Sequence, residues 1–174
     1  MSRNKKIILR MTISAIFGAL CFVVNAFLKI PYPNDVGYFN FGDVFIVFIS
    51  IYIGPIEGIL VGLIGGIFGD LYSGYANFIP FTIVAKTLMA FVGGFFFQIF
   101  KTNRIRFIKY IFPFIGAILM AATYLPSYWI YLGFNQIYYA GFDLIQGVGC
   151  AIIAIAIYIP FRRFNLLSIN QNDY

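Results

Sequence analysis

Residues 54–72 read GPIEGILVGLIGGIFGDLY. Proline in second place suits the first turn of a helix, where its missing N–H would have had no partner anyway. Glu57 lies in that same turn and favours the positive end of the helix dipole. Beyond it the run is apolar as far as Asp70. Gly58, Gly62 and Gly66 recur every four residues, and Gly65 with Gly69 form a second row. One wide face of the helix therefore has almost no side-chain bulk, the pattern that lets helices in a membrane approach closely. A glycine-striped apolar helix of this kind requires neighbours on several sides.

The rest of the chain supplies them. Of the 174 residues, 61% are hydrophobic and 10% charged, and the mean hydropathy is +0.89. Such a chain has too few charges for an ordinary water-soluble surface, so it reads as a membrane protein. About 20 apolar residues cross a bilayer as a helix. Apolar runs predict helices near 7–30, 38–53, 56–72, 80–100, 108–132 and 138–161, a single all-α bundle of six transmembrane helices over residues 1–174. This length leaves no room for a soluble catalytic domain. The first apolar stretch spans without a small-residue cleavage site, so no removable leader is expected.

Charge sets the expected orientation. Arg3, Lys5, Lys6 and Arg10 precede the first span, Lys101, Arg104, Arg106 and Lys109 follow the fourth, and Arg162 and Arg163 follow the sixth. An even number of spans separates these clusters, so all three share one side, and the positive-inside rule makes that side, and both termini, cytoplasmic. The net charge of +6 then reports topology and no nucleic-acid partner. Histidine is absent and Cys21 and Cys150 lie far apart in apolar runs, which suggests no metal site, cofactor or disulfide.

Ionisable groups at membrane depth mark functional sites by default. At about 1.5 Å of rise per residue, Lys86 falls roughly 9 Å below the start of the fourth helix and Asp143 roughly 8 Å below that of the sixth, both on the outer side. Asp43, Asp70 and Asn25 also belong to the outer half. Gln146 and Tyr139 share one face of the sixth helix with Asp143. Two readings stand together: an outward-opening pocket that holds a small solute, or a Lys86–Asp143 pair that ties two helices. For Asp43 and Asp70 a position near a helix end offers capping or access to water. Pro126 predicts a kink beside Tyr124, Ser127 and Trp129. The outer loops 29–40, 72–78 and 133–139 are rich in aromatics and turn formers, which suits a cavity wall or an interfacial aromatic belt. The first helix carries Ala15-Ile-Phe-Gly18-Ala19, a small-residue patch facing its own chain or a partner.

The Ala-xxx-Ala pair, Phe41-Gly-Asp43, the turn Gly54-Pro-Ile-Glu-Gly58, Gly69-Asp-Leu-Tyr-Ser-Gly-Tyr75 and Pro80-Phe-Thr-Ile-Val-Ala-Lys86 together resemble the substrate-binding S component of an energy-coupling factor (ECF) transporter. The resemblance covers nearly the whole chain and is strongest from Phe41 to Gly94. It implies a subunit of a bacterial plasma membrane that captures one vitamin from outside and works with a transmembrane T component and two cytoplasmic ATPases. It assigns T-component docking to Ala15 and Ala19, with Gly18 between them. It places substrate near the loop 29–40, including Tyr38, and near Lys86, Trp129, Asn135, Tyr139, Asp143 and Gln146. The branch it looks most like takes vitamin B6 compounds or hydroxymethylpyrimidine, with pantothenate and riboflavin as neighbours. The thiamine branch is disfavoured, because the histidine and the acidic residue it uses in the fourth helix are missing and Lys86 stands there.

Other classes fit less well. No nucleophile sits beside a base, as an intramembrane enzyme would need. Neither internal repeats nor midplane ion sites point to a self-sufficient secondary transporter. A purely structural membrane protein explains the glycines but not polar groups gathered at one depth. With no phosphate-binding glycine loop, ATP dependence would come from partners.

Overall fold

The structure is a computed structural model that describes residues 3–100 and 107–162. Six helices form it: α1 (Arg3–Phe27), α2 (Asp43–Tyr52), α3 (Pro55–Ser73), α4 (Ile79–Ile99), α5 (Phe112–Leu132) and α6 (Tyr139–Phe161). Five segments of the described chain are long and apolar enough to cross a membrane, and α2 is a shorter apolar helix. The protein is a multi-pass membrane protein.

The predicted helices hold in number and order, but the second is shorter than expected. Residues 38–41 belong to a hairpin. Its antiparallel bridge pairs Pro31 with Tyr38, with Tyr32 N–H donating to Gly37 O at 2.8 Å and Phe39 N–H to Ile30 O at 2.9 Å. Asn34 and Asp35 turn the chain at positive φ, a conformation these two residue types tolerate better than most. Pro31 also explains why α1 ends before residue 30, since the residue before a proline is pushed out of the helical region.

Helix α2 runs through the middle of the bundle, against α3, α4 and α6, with α1 lying across it more lightly. Burial on all sides fits a helix whose residues from Ile46 to Ile51 are all buried and nearly all apolar. The glycine stripe of α3 makes this crowding possible. A Cβ on Gly58 would meet Ser50 of α2, and one on Gly62 would come within 3.0 Å of Lys86 Cβ on α4. On α1, Gly18 faces inward, where an added Cβ would lie 2.9 Å from Ile64. It is a packing residue of the bundle, which corrects its expected place on a docking surface. Ala15 and Ala19 are exposed on the other side of the same helix.

Arg10, Lys109 and Arg162 gather at one pole, while Lys29, just past the end of α1, lies at the other beside Ser73 and the Tyr38 ring. Arg10 clamps Glu57 at the start of α3 with Nε to Oε1 at 2.7 Å and Nη2 to Oε2 at 2.9 Å, and Arg162 reaches the Tyr110 hydroxyl at 3.4 Å. Lys109 lies over the Phe97 and Tyr110 rings. Lys101, Arg104, Arg106 and Arg163 lie outside the described residues. The hairpin and its polar surroundings occupy the opposite pole.

Candidate functional site

Three layers build the site from the bundle outward. At the bottom Lys86 of α4 and Asp43, the first residue of α2, are both wholly buried, with Nζ 2.7 and 2.8 Å from the two carboxylate oxygens. Met120 Sδ lies 3.5 Å from the same nitrogen. Gln146 Nε2 donates to Asp43 Oδ2 at 2.7 Å, so each group of the ion pair has hydrogen bonds besides Coulomb attraction. The tie expected between Lys86 and Asp143 does not form. Lys86 is paired to Asp43, because α2 stands between α4 and α6 and brings its first turn to the lysine.

The middle layer transmits this anchor to the hairpin. Gln146 Oε1 accepts the Asn40 main-chain N–H at 2.7 Å, and Asn25 Oδ1 accepts the Gly42 N–H at 2.9 Å. Both amides thus hold the chain as it passes from hairpin to α2. Further out, the Tyr139 hydroxyl donates to Pro33 O at 2.8 Å and Tyr75 donates to Asp35 O at 2.8 Å, pinning the hairpin tip.

Beneath the hairpin is a pocket with two carboxylates in its wall. Asp143 accepts from Tyr32 at 2.9 Å and from Tyr128 at 2.7 Å, one hydroxyl on each oxygen. Asp70 is held in the same way by Tyr38 at 3.2 Å and Thr82 at 2.5 Å. Tyr124, whose hydroxyl is 3.0 Å from Thr82 Oγ1, closes the far wall with Phe78, and Val36, Gly37, Asn40 and Tyr75 complete the lining. In the hairpin, burial and the neighbouring carboxylates push the Tyr32 and Tyr38 phenols well above their usual range, so both remain protonated donors. The cavity measures about 30 Å³, room for roughly one water molecule. As folded here, the hairpin fills the space a larger ligand would need.

The expected site residues divide accordingly. Tyr38 and Asp143 line the pocket; Gln146 and Tyr139 share the buried face of α6 with Asp143 and hold the hairpin. Lys86 is below the pocket, a support of its floor. Trp129 is 62% exposed on the outside of α5, and Asn135 is exposed in the connection after it, so neither meets the cavity. Both were placed by the family resemblance, and a resemblance in sequence does not say which way a helix face points. The pocket groups Tyr32, Thr82 and Tyr128 were not singled out. For Tyr124 and Tyr128 a signal existed, since four residues apart on α5 they share a face. Helix α5 runs on through Pro126 between them.

A family model described as ECF-type riboflavin transporter, S component, matches residues 5–163. The chain belongs to that family. It is therefore an S component of the ECF type. A Pyrococcus woesei protein described as an uncharacterized protein in gap 3'region is 34% identical over 74 residues, which are 42% of this S component and 49% of that relative. The S component thus spans about half the length of the curated relative it matches.

Proposed function

We propose that this S component captures a small ring-containing vitamin or precursor from outside the cell and releases it inward with a T component and two ATPases. The observation that carries the proposal is the pocket with two buried carboxylates under an aromatic hairpin, at the pole opposite Arg10, Lys109 and Arg162. The positive-inside rule puts the basic pole and both termini in the cytoplasm of a bacterial plasma membrane, and the pocket then faces outward. A cavity for one water is far below the roughly 300 Å³ or more of ordinary ligand sites, so capture requires the hairpin to lift. The exposed Ala15 and Ala19 give the T component a smooth strip on α1.

A vitamin B6 compound or hydroxymethylpyrimidine suits the site best: a compact ring stacks on Tyr32, Tyr124 or Tyr128 and turns its hydroxyls or amine to Asp70 and Asp143. Riboflavin is the second reading, supported by the description of the matching family. The test is a binding panel on the detergent-purified chain, scored by isothermal titration and thermal unfolding. Saturable binding of one vitamin is expected, with stabilisation of about 2.7 kcal/mol at a hundredfold excess over Kd. If pyridoxine, hydroxymethylpyrimidine, riboflavin and the other B vitamins all leave the unfolding curve unmoved, the chain is a scaffold without a ligand.

A further inference from the structure

Another cavity, of about 290 Å³, lies at the end of α2 away from the hairpin. Ile13 and Phe17 of α1 form one wall, Phe161 of α6 the other, and Phe48, Ile49 and Tyr52 of α2 the floor. Helices α1 and α6 flank α2 here without a packed interface of their own, so the space is a cleft between them. The Phe48 ring spans its floor, with its centroid 6.1 Å from that of Phe17 and 5.7 Å from that of Phe161. Phe161 is 41% exposed at the mouth.

The lining decides what can enter. Among these side chains Tyr52 brings the one hydroxyl, and the rest is hydrocarbon. An apolar cavity of about 150 Å³ already stays dry and takes apolar guests. Left empty, a larger one forfeits dispersion contacts along its whole wall. A vitamin ring would strand its hydroxyls and ring nitrogens there. The fitting guest is a hydrocarbon chain, and both walls belong to segments long and apolar enough to cross a membrane, which surrounds them with such chains.

Charge at the rim specifies the rest of the guest. Lys6 stands seven residues before Ile13 and eleven before Phe17, a spacing that puts all three on one face of α1. At about 1.5 Å of rise per residue, the lysine lies roughly 10 Å beyond Ile13 toward the basic pole. On the opposite wall Arg162 follows Phe161 directly and is exposed; its contact with the Tyr110 hydroxyl at 3.4 Å leaves its charge uncancelled. The rim thus receives one cation from each wall, at the end where the headgroup of a lipid in the cleft would sit.

We propose that the cleft between α1 and α6 is a binding site for one acyl chain of an anionic phospholipid, with Lys6 and Arg162 on its phosphate. Bound there, the chain supplies the packing that α1 and α6 do not give each other. The site is separated from the hairpin pocket by the length of α2, and Ala15 and Ala19 project from a different face of α1. It therefore stands independently of vitamin capture and of docking to a T component.

The experiment titrates the detergent-purified full chain with dioleoyl phosphatidylglycerol, with dioleoyl phosphatidylcholine, and with glycerophosphoglycerol, which has the headgroup without the chains. Thermal unfolding without lipid is recorded beside it. Saturable binding of phosphatidylglycerol is expected, about tenfold or more tighter than that of phosphatidylcholine, and the chainless headgroup is expected not to bind. Ile13→Phe extends a lining side chain into the cleft; it is expected to weaken phosphatidylglycerol binding about tenfold or more and to unfold no earlier than the parent. Replacing Lys6 and Arg162 together by glutamine is expected to bring phosphatidylglycerol to the affinity of phosphatidylcholine, each cation contributing a factor of about five. Parental lipid affinity in Ile13→Phe overturns the site. Early unfolding of that variant does the same, because it would show the cleft already filled by the chain itself. Equal affinity of the parent for the two lipids overturns the anionic assignment, and tight binding of glycerophosphoglycerol would make the rim a phosphate surface with no role for the cleft. If Ile13→Phe keeps its lipid but no longer co-purifies with a T component, the cleft is a protein interface and the proposal falls.

Discussion

Replacing Lys86 by methionine separates a supporting lysine from a ligand-binding one. The amine is wholly buried, lies 2.7 and 2.8 Å from the oxygens of Asp43, and does not line the pocket. Methionine keeps the apolar stem and removes the charge, leaving Asp43 with the Gln146 amide as its remaining hydrogen-bond donor among the described contacts. Breaking one half of a buried pair costs about 3–5 kcal/mol, because the surviving charge is stranded away from water. In a chain of this size that corresponds to a fall on the order of 10 °C in unfolding temperature. Adding Asp43→Asn removes the stranded charge while leaving an acceptor for Gln146, so the double variant is expected to regain at least half of the loss. Cys21 and Cys150 are free and buried, so a thiol-reactive fluorophore reports unfolding of the detergent-purified chain directly. If Lys86→Met unfolds at the parental temperature yet loses its ligand, the lysine is a ligand contact and the three-layer account of the site fails.

Along α1, Ala15→Leu and Ala19→Leu are expected to leave unfolding and ligand binding unchanged while abolishing co-purification with a T component. Gly18→Leu, by contrast, drives a side chain into Ile64 and is expected to cost about 1–3 kcal/mol in the isolated chain, read by the same thiol assay. Trp129→Phe is expected to leave vitamin affinity at the parental value, because the indole faces away from the pocket; a measurable loss by titration would move α5 by a large rotation.

Much of the bundle was legible because hydropathy and charge act locally. Each long span is an apolar run closed by a turn or a basic cluster, and the glycines of α3 announce close packing before any neighbour is known. The pairing of Lys86 was not legible. Depth along the membrane can be counted from helix ends, and it matched Lys86 with Asp143; which carboxylate reaches the amine depends on the lateral order of helices, and α2 stands between α4 and α6. The family resemblance placed Trp129 in the site and left out Tyr128, one position earlier on α5 and turned inward. Asp43 looked like a helix cap, and it does begin α2, yet its carboxylate belongs to Lys86 and Gln146.

The short second helix links fold to function. Ten residues rise about 15 Å, half of a hydrocarbon core of about 30 Å. A bundle with one half-length helix at its centre has an empty lane at the pole opposite Arg10 and Arg162, and the chain fills it with its own hairpin. The hairpin backbone at that depth finds its partners in Gln146, Asn25, Tyr139 and Tyr75, as non-helical backbone in a membrane must. These are side-chain anchors, unlike the continuous backbone ladder of a helix, so this lane is the part of the bundle that can open without unfolding a span. The buried ion pair marks where the lane ends. Below it α2 is buried; above it stand the carboxylates and the phenols of the pocket.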